Sequence, residues 1–193
     1  MPAHVPPVAD ERDGLLAYLA QQRQTLRATA HGLTDDQARL TPTVSELSIG
    51  GLIKHAARCE AGWTDLILQR QRGPRREADE SDSAEFRLTD KETLADVLDQ
   101  YEAAARETDE VIASIADLGQ GVPVPRGLPW FPADVEEWSV RWVLLHLVEE
   151  TARHGGHADI IRESLDGATL FPLLAAAERW PAPWFQPWQA PTA

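Results

Sequence analysis

The sequence predicts an all-α protein built as a four-helix bundle. Apolar residues recur at helical spacing in four long stretches, and each stretch starts close to a Ser, Thr or Asp that can cap a helix. Pro and Gly are concentrated in the segments between these stretches. The chain has 193 residues, 43% hydrophobic and 25% charged, which is enough for one sizeable core. We therefore predict one domain over 1–193, with flexible ends at 1–8 and 189–193.

The first part of the chain predicts two long helices with a short one between them. The first long helix covers about 10–30, and a glycine follows its end. Thr34 has a glutamine three residues later, the pattern of a capping box, which predicts a short helix. The second long helix is capped by Ser45 or Ser48 and ends near Arg72.

A long link separates the second and third long helices. The segment Gly73–Asp90 is charged, poor in apolar residues and interrupted by Pro and Gly. A loop of this length inside a compact domain usually has a function. It would allow two neighbouring helices to run parallel, because short links permit only antiparallel neighbours. The third long helix is capped by Thr89 and ends before Gly119.

The last part of the chain predicts a connector, the fourth long helix and a tail. The connector at 121–138 contains four prolines and is long enough for a short hairpin. The fourth long helix covers Ser139–Leu165, and a short helix follows at Phe171–Trp180. The Trp/Pro-rich tail after it is too apolar to be free: it packs on its own bundle, closes a pocket or covers a partner subunit.

Charge and cysteine content exclude several classes of protein. The net charge of −13 argues against a nucleic-acid or acidic-membrane partner, since both require basic surface. Cys59 is the single cysteine, so no intrachain disulfide forms and a reducing compartment is expected. The N-terminus lacks the features of a signal peptide, and no apolar run reaches membrane-spanning length. We predict a cytoplasmic protein.

Histidines and a carboxylate share one face of the fourth long helix. His146, Glu150 and His154 stand at i, i+4 and i+8, and His157 follows three residues later. Together with His55 in the middle of the second long helix, they are typical of divalent metal sites in helical bundles. A lone histidine on an apolar face is more often a core residue with satisfied hydrogen bonds. On spacing alone both interpretations stay open.

Two segments carry a resemblance to a known family. LSIGGLIKHAARCEAGW and WSVRWVLLHLVEETARHGGHADIIRESLDG resemble the DinB/YfiT-like superfamily, and within it the DUF664 branch. The resemblance implies a bundle of up-down-down-up order, with the long crossover between the second and third helices. It also implies a metal site made of His55, Glu150 and His154. The carboxylate in this set is similar to that of mycothiol-dependent maleylpyruvate isomerases, which are zinc enzymes.

This ligand set predicts a divalent ion with an open coordination position. Zn²⁺ is the expected ion, with Ni²⁺, Fe²⁺ and Mn²⁺ as alternatives. His146 and His157 are the candidate catalytic residues. His146 would orient Glu150 or carry a proton, or else hydrogen-bond in the core. His157 would face the pocket, or else merely solvate the end of the helix.

Other side chains near these positions have weaker assignments. Arg58 and Arg153, with Arg141 as a further candidate, would hold an anionic group of the cofactor or substrate, although surface arginines are commonly paired with local acids. Cys59 stands one turn after His55, so it too could face the site, although a structural buried thiol is the favoured interpretation.

The predicted function follows from the resemblance. It implies an S-transferase or isomerase that adds a low-molecular-weight thiol, such as mycothiol, to an electrophilic small-molecule substrate. Two alternatives stay open: a metal-dependent hydrolase, and a non-catalytic, metal-stabilised protein of small-ligand binding or stress response. A homodimer formed through a helix face or through the tail is compatible with the sequence.

Overall fold

The predicted fold class is confirmed. The computed structural model describes residues 4–70, 85–126, 131–180 and 186–190. Within these ranges the chain forms six helices and one two-stranded sheet. The elements are α1 (Glu11–Ala28), α2 (Asp35–Arg39), α3 (Ile49–Ile67), α4 (Leu94–Ser114), β1 (Gly121–Pro123), β2 (Glu137–Ser139), α5 (Val140–Asp166) and α6 (Leu170–Ala177).

Contacts between the four long helices determine their relative directions. α1 and α5 meet start to start and end to end, so they run parallel, and α3 and α4 do the same. α3 and α5 meet start to end, so they are antiparallel. These contacts join Glu11 to Arg141, Thr29 to Arg162, Lys54 to Glu92, Thr64 to Thr108, His55 to Glu150 and Trp63 to Trp142. The order is therefore up-down-down-up, and the long crossover lies between the two parallel helices.

Several helix boundaries differ from the prediction: α4 ends at Ser114 instead of near Leu118, and α6 ends at Ala177 instead of Trp180. Two further differences have a local cause. α4 is capped by Thr93 instead of Thr89, because the Glu92 carboxylate folds back onto the Thr89 N–H at 2.8 Å and makes 89–92 a separate turn. α3 ends at Ile67 instead of near Arg72, because Gln69 adopts a positive φ of 50° and its neighbour's N–H closes the helix end. Both differences arise from local hydrogen bonds that compete with helix extension.

The connector forms the expected short hairpin pairing. β1 and β2 are antiparallel, with Val122 opposite Trp138. The strand β2 leads directly into α5, which starts close to the predicted position and has Ser139 as its N-cap. At the other end of α5, Gly167 takes a φ of 74°, a left-handed conformation that glycine adopts without steric cost.

Two apolar clusters lie along the bundle, with a polar layer between them. One contains the first half of α3, the first half of α4 and the end of α5, around Ile53 and Ile161. The other contains the second half of α3 and the start of α5, around Trp63 and Leu144. The stretch of α5 between the clusters carries the candidate ligands Glu150 and His154.

The described part of the tail packs on its own bundle. Trp188 meets the ring of His31 edge-on at 5.9 Å and lies 4.7 Å from the guanidinium carbon of Arg162. Its ring also fills the space above Gly32, where a Cβ would lie 2.5 Å from the indole. Trp130, Trp184 and the outermost residues of both predicted flexible ends lie outside the described residues. The single-domain assignment over 1–193 stays a prediction.

No helix in the described ranges combines the length and the apolar character needed to cross a membrane.

Candidate metal centre

Two adjacent glycines bring the end of the crossover onto α3. A Cβ on Gly51 would lie 1.7 Å from the carbonyl oxygen of Phe86, and a Cβ on Gly50 would lie 1.9 Å from Leu88. Both glycines are in the first turn of α3, where Ser48 caps the helix and accepts from the Gly51 N–H at 3.2 Å. The absent side chains therefore allow the backbone at 86 to cross directly over α3, one turn before His55.

Three predicted ligands converge at the polar layer. His55 Nε2 lies 3.0 Å and His154 Nε2 lies 3.1 Å from the same oxygen, Oε1 of Glu150. His55 and His154 are nearly buried, with side chains 12% and 11% exposed. Their rings meet edge-on at 4.8 Å. The antiparallel packing of α3 against α5 thus brings together side chains that are 95 positions apart in the sequence.

The crossover adds two residues that the sequence interpretation missed. Glu85 Oε1 lies 3.2 Å from His55 Nδ1, so both ring nitrogens of His55 face a carboxylate. The ring of Phe86 stacks on His55 at 4.1 Å. Glu85 and Phe86 fall in the segment Gly73–Asp90, which is predicted as a long loop. The Gly50–Gly51 pair in α3 is the sequence signal for a second segment of backbone that packs closely against this helix.

The electrostatics of this group are strongly perturbed. Burial disfavours the charged form of His55, but the hydrogen bonds with Glu150 and Glu85 outweigh it and raise the pKa of this imidazole to about 9. Hydrogen bonds from His154 and then from His55 hold the pKa of Glu150 well below its usual range, in spite of its partial burial. The carboxylates of Glu150 and Glu85 therefore favour a positive charge on this imidazole.

Cys59 faces the same cluster. Its sulfur lies within 4.8 Å of ligand atoms of His55 and Glu150, and these three residues form a compact group of potential metal donors among the described residues. Burial, followed by the charges of Glu150 and Glu85, raises the pKa of the Cys59 thiol to about 12. This position agrees with the alternative that Cys59 faces the site, and the favoured interpretation of a structural thiol stays a prediction.

The donor set fits a divalent cation. Ligand atoms around a tetrahedral zinc ion lie about 3.3 Å apart for metal–ligand bonds of about 2.0–2.1 Å. The 3.0 and 3.1 Å separations at Glu150 are close to that value for two of the three pairs. Among the described residues, the donors that all lie within 4.8 Å of one another are His55, Cys59 and Glu150, and His154 stands outside this group. Within the described part of the chain, Nδ1 of His154 is buried and has no hydrogen-bond partner, so the ring is not committed elsewhere by a second hydrogen bond. That His55, Glu150 and His154 bind a metal stays a prediction.

The two candidate catalytic histidines lie on either side of this group. His146, one turn before Glu150, is 26% exposed, and its Nδ1 is 3.7 Å from Glu149. Its ring stacks on Trp142 at 5.2 Å, which fixes its orientation. His157 is half-buried, with its ring 5.6 Å from that of His154, and no hydrogen-bond partner in the described ranges reaches its buried Nδ1.

The arginines are at the surface. Arg58 and Arg153 are exposed on α3 and α5, and their predicted binding of an anionic group stays a prediction. Arg141 is instead occupied by a local acid: Glu11 accepts two hydrogen bonds from its guanidinium, at 2.6 and 2.9 Å. This pair ties the start of α1 to the start of α5.

A separate apolar cleft lies on another side of the bundle. It has a volume of about 1200 Å³ and is lined mainly by α1, α4 and the end of α6, with Tyr101 and Leu174 among its walls. None of the predicted site residues lines it. The cleft and the clustered metal donors therefore lie on different faces of the bundle. We place the candidate metal centre at the donors.

Comparison with known proteins identifies the family of the chain and supports its fold. Residues 14–167 match the family described as Mycothiol-S-transferase. Comparison with curated proteins gives no significant match. A crystal structure described as the conserved protein of locus from Enterococcus faecalis superposes with a TM-score of 0.64 at 13% identity, covering 83% of this chain and 100% of that chain. At this identity the superposition supports the fold alone.

Fold and donor cluster together define a helical-bundle protein with a candidate metal centre in its polar layer. Because the match extends over most of the chain, the protein belongs to the mycothiol S-transferase family, one of the DinB-like families. The predicted resemblance is confirmed.

Proposed function

We propose that this protein is a metal-dependent S-transferase, which transfers a low-molecular-weight thiol of the mycothiol type to an electrophilic small molecule. His55, Glu150 and His154 hold the divalent cation, with Zn²⁺ as the expected ion. Membership of the family supports the thiol transfer. The observation that carries the metal dependence is the convergence of two imidazoles on one Glu150 oxygen, at 3.0 and 3.1 Å.

Two residues of the crossover, Glu85 and Phe86, orient and cover His55. Glu85 accepts from Nδ1 of His55, and this hydrogen bond would leave the lone pair of Nε2 for the cation once Nε2 has given up the proton that it shares with Glu150. Phe86 covers the face of His55 and excludes water from that side. The donors are therefore held in place by the crossover as well as by the two helices that carry them.

When bound, the cation supplies Lewis acidity, which lowers the pKa of a thiol. His146 accepts the thiol proton, because its ring lies one turn from Glu150 and stays partly exposed to solvent. A sulfur lone pair then forms the bond to the electrophilic carbon. In a substitution the leaving group departs with its bonding electrons; in an addition those electrons pass to a conjugated carbonyl and His146 returns the proton.

Metal content and thiol transfer test the proposal together. Elemental mass spectrometry on the wild type, Glu150→Gln and His55→Ala should give about one equivalent of metal in the wild type and little in either variant. Transfer of mycothiol, or of cysteine as a simpler thiol, to an activated aryl halide should be lost in parallel.

His31→Ala is the matched control, since His31 packs against Trp188 away from the cluster. It should retain both metal and transfer. Full turnover by metal-free Glu150→Gln would refute metal dependence. A metal-loaded wild type without transfer to any electrophile would refute the S-transferase function. A homodimer and a cytoplasmic location stay predictions.

A further inference from the structure

The position of Cys59 distinguishes it from an ordinary buried thiol. It stands one helical turn after His55 on α3, so both side chains leave the helix on the same face. Its sulfur lies within 4.8 Å of ligand atoms of both His55 and Glu150. The side chain is only partly buried: it packs against the apolar cluster around Trp63 on one side, while its sulfur faces these two potential donors on the other.

Trp63, one turn further along α3, holds this part of the helix against the bundle. It is buried against Trp138 and Phe131, at ring distances of 5.3 and 6.1 Å. The backbone that carries Cys59 is therefore fixed beside the donors by packing on its C-terminal side.

We propose that Cys59 is a further protein ligand of the cation held by His55 and Glu150. This inference rests on the metal centre of the proposed function and adds a sulfur donor that the family resemblance did not imply. Zn–S and Zn–N bonds of about 2.3 and 2.0 Å place sulfur and nitrogen about 3.5 Å apart, within reach of a side-chain rotation from the observed separation. Binding converts the thiol to a thiolate and releases one proton to solvent, with no change in oxidation state.

A thiolate ligand has a consequence for the incoming thiol. With Cys59 bound, the resting centre has a sulfur at a position that an external thiol would otherwise take. The substrate thiol therefore exchanges with Cys59 instead of meeting a vacant position. A soft sulfur donor also favours zinc over magnesium or calcium.

Cobalt substitution tests this directly, because Cys59 is the single cysteine of the chain. Co²⁺ is added to metal-free full-length protein in thiol-free buffer, and the near-ultraviolet and visible spectra are recorded for the wild type, Cys59→Ser and Cys59→Ala. We expect an intense near-ultraviolet sulfur-to-cobalt charge-transfer band in the wild type. Both variants should lose this band but keep the weaker visible bands of bound cobalt. Circular dichroism checks that they are folded.

The outcomes separate this inference from the proposed function. Visible bands of bound cobalt without a charge-transfer band in the wild type would overturn the cysteine ligand and leave the metal centre intact. A charge-transfer band that persists in both variants would also overturn it. If the wild type binds no cobalt and no zinc, the metal centre fails and the cysteine ligand fails with it. Reappearance of the band when cysteine is added to cobalt-loaded Cys59→Ala would support exchange at that position.

Discussion

Two buried polar clusters lie two turns apart on α5, and they differ in how their hydrogen-bond donors and acceptors are paired. Around Arg162, which is 0% exposed, the guanidinium donates to both carboxylate oxygens of Asp166 and to the carbonyl oxygens of Thr29 and His31, at 2.7–3.2 Å. Around His154, by contrast, two imidazoles share a single oxygen of Glu150, and a buried ring nitrogen has no hydrogen-bond partner in the described residues.

The two clusters differ in the balance of hydrogen-bond donors and acceptors, and we interpret the first as structural and the second as the candidate metal centre. At Arg162 donors and acceptors are matched, so no further group is needed. At His154 several potential electron-pair donors face one another, and a cation would satisfy them better than a shared proton. Burial alone does not distinguish the clusters; the balance of donors and acceptors does.

The largest expected effect is on the Arg162 cluster. Arg162→Met leaves a nearly buried carboxylate and two carbonyl oxygens unpaired, so we expect a loss of about 3–5 kcal/mol in the free energy of unfolding. Urea denaturation measures it. Arg27→Met is the control: Arg27 and Glu102 are 41% and 54% exposed, so their ion pair should contribute about 0–1 kcal/mol. Equal losses in the two variants would contradict the distinction.

A smaller effect is expected for Glu85, which lies on the crossover and forms a hydrogen bond with His55. Glu85→Gln keeps the size of the side chain but removes its charge, so the metal affinity should fall about 10–100-fold. Competition with a chromogenic chelator measures the dissociation constant. Glu46→Gln is the control, because Glu46 pairs with Arg87 on the same segment and is 78% exposed. An unchanged affinity in Glu85→Gln would show that His55 is oriented without the crossover.

The smallest effect concerns Asp159, which lies on α5 between the two clusters. Burial and then the charge of Glu163 raise its pKa to about 6, above the usual 3.8. The folded state therefore binds a proton more tightly than the unfolded state, and this stabilisation is complete below about pH 4 and is lost as the pH rises through 6.

Asp159→Asn should consequently be more stable than the wild type at pH 7.5 and nearly equal to it at pH 4. Since the side chain is only half-buried, we expect about 1 kcal/mol or less, or roughly 2–4 °C in Tm. Thermal unfolding at both pH values measures the difference. Asp99→Asn, on the exposed face of α4, should be neutral at both. A gain that is equal at pH 4 and pH 7.5 would contradict the assignment to Asp159.

Much of this arrangement could be predicted from the sequence, because it depends on local patterns. Helical periodicity predicted the long helices and most of their starts, and the capping box at Thr34 predicted the short helix. Of the two serines proposed to cap the second long helix, Ser45 and Ser48, the structure has Ser48. The direction of the helices followed from the family resemblance, which long-range contacts such as His55 to Glu150 then confirmed.

What the sequence did not predict depends on contacts between distant segments. Glu85 stands among acidic loop residues that look alike, and it differs from them only because the backbone crosses α3 at Gly51. Thr89 and Thr93 are equally good caps by residue type. The choice between them depends on Glu92, whose carboxylate also binds the ammonium group of Lys54 on another helix at 2.8 Å.

The distribution of the donors has a consequence for how such a protein diversifies. His55, Cys59, Glu150 and His154 all lie on the antiparallel pair α3 and α5, and Glu85 lies on the crossover that ends beside them. α1 and α4 contribute none of these side chains, although they form most of the wall of the apolar cleft. Substitutions on α1 and α4 can therefore reshape half of the bundle surface while the chemistry on the other two helices is inherited unchanged.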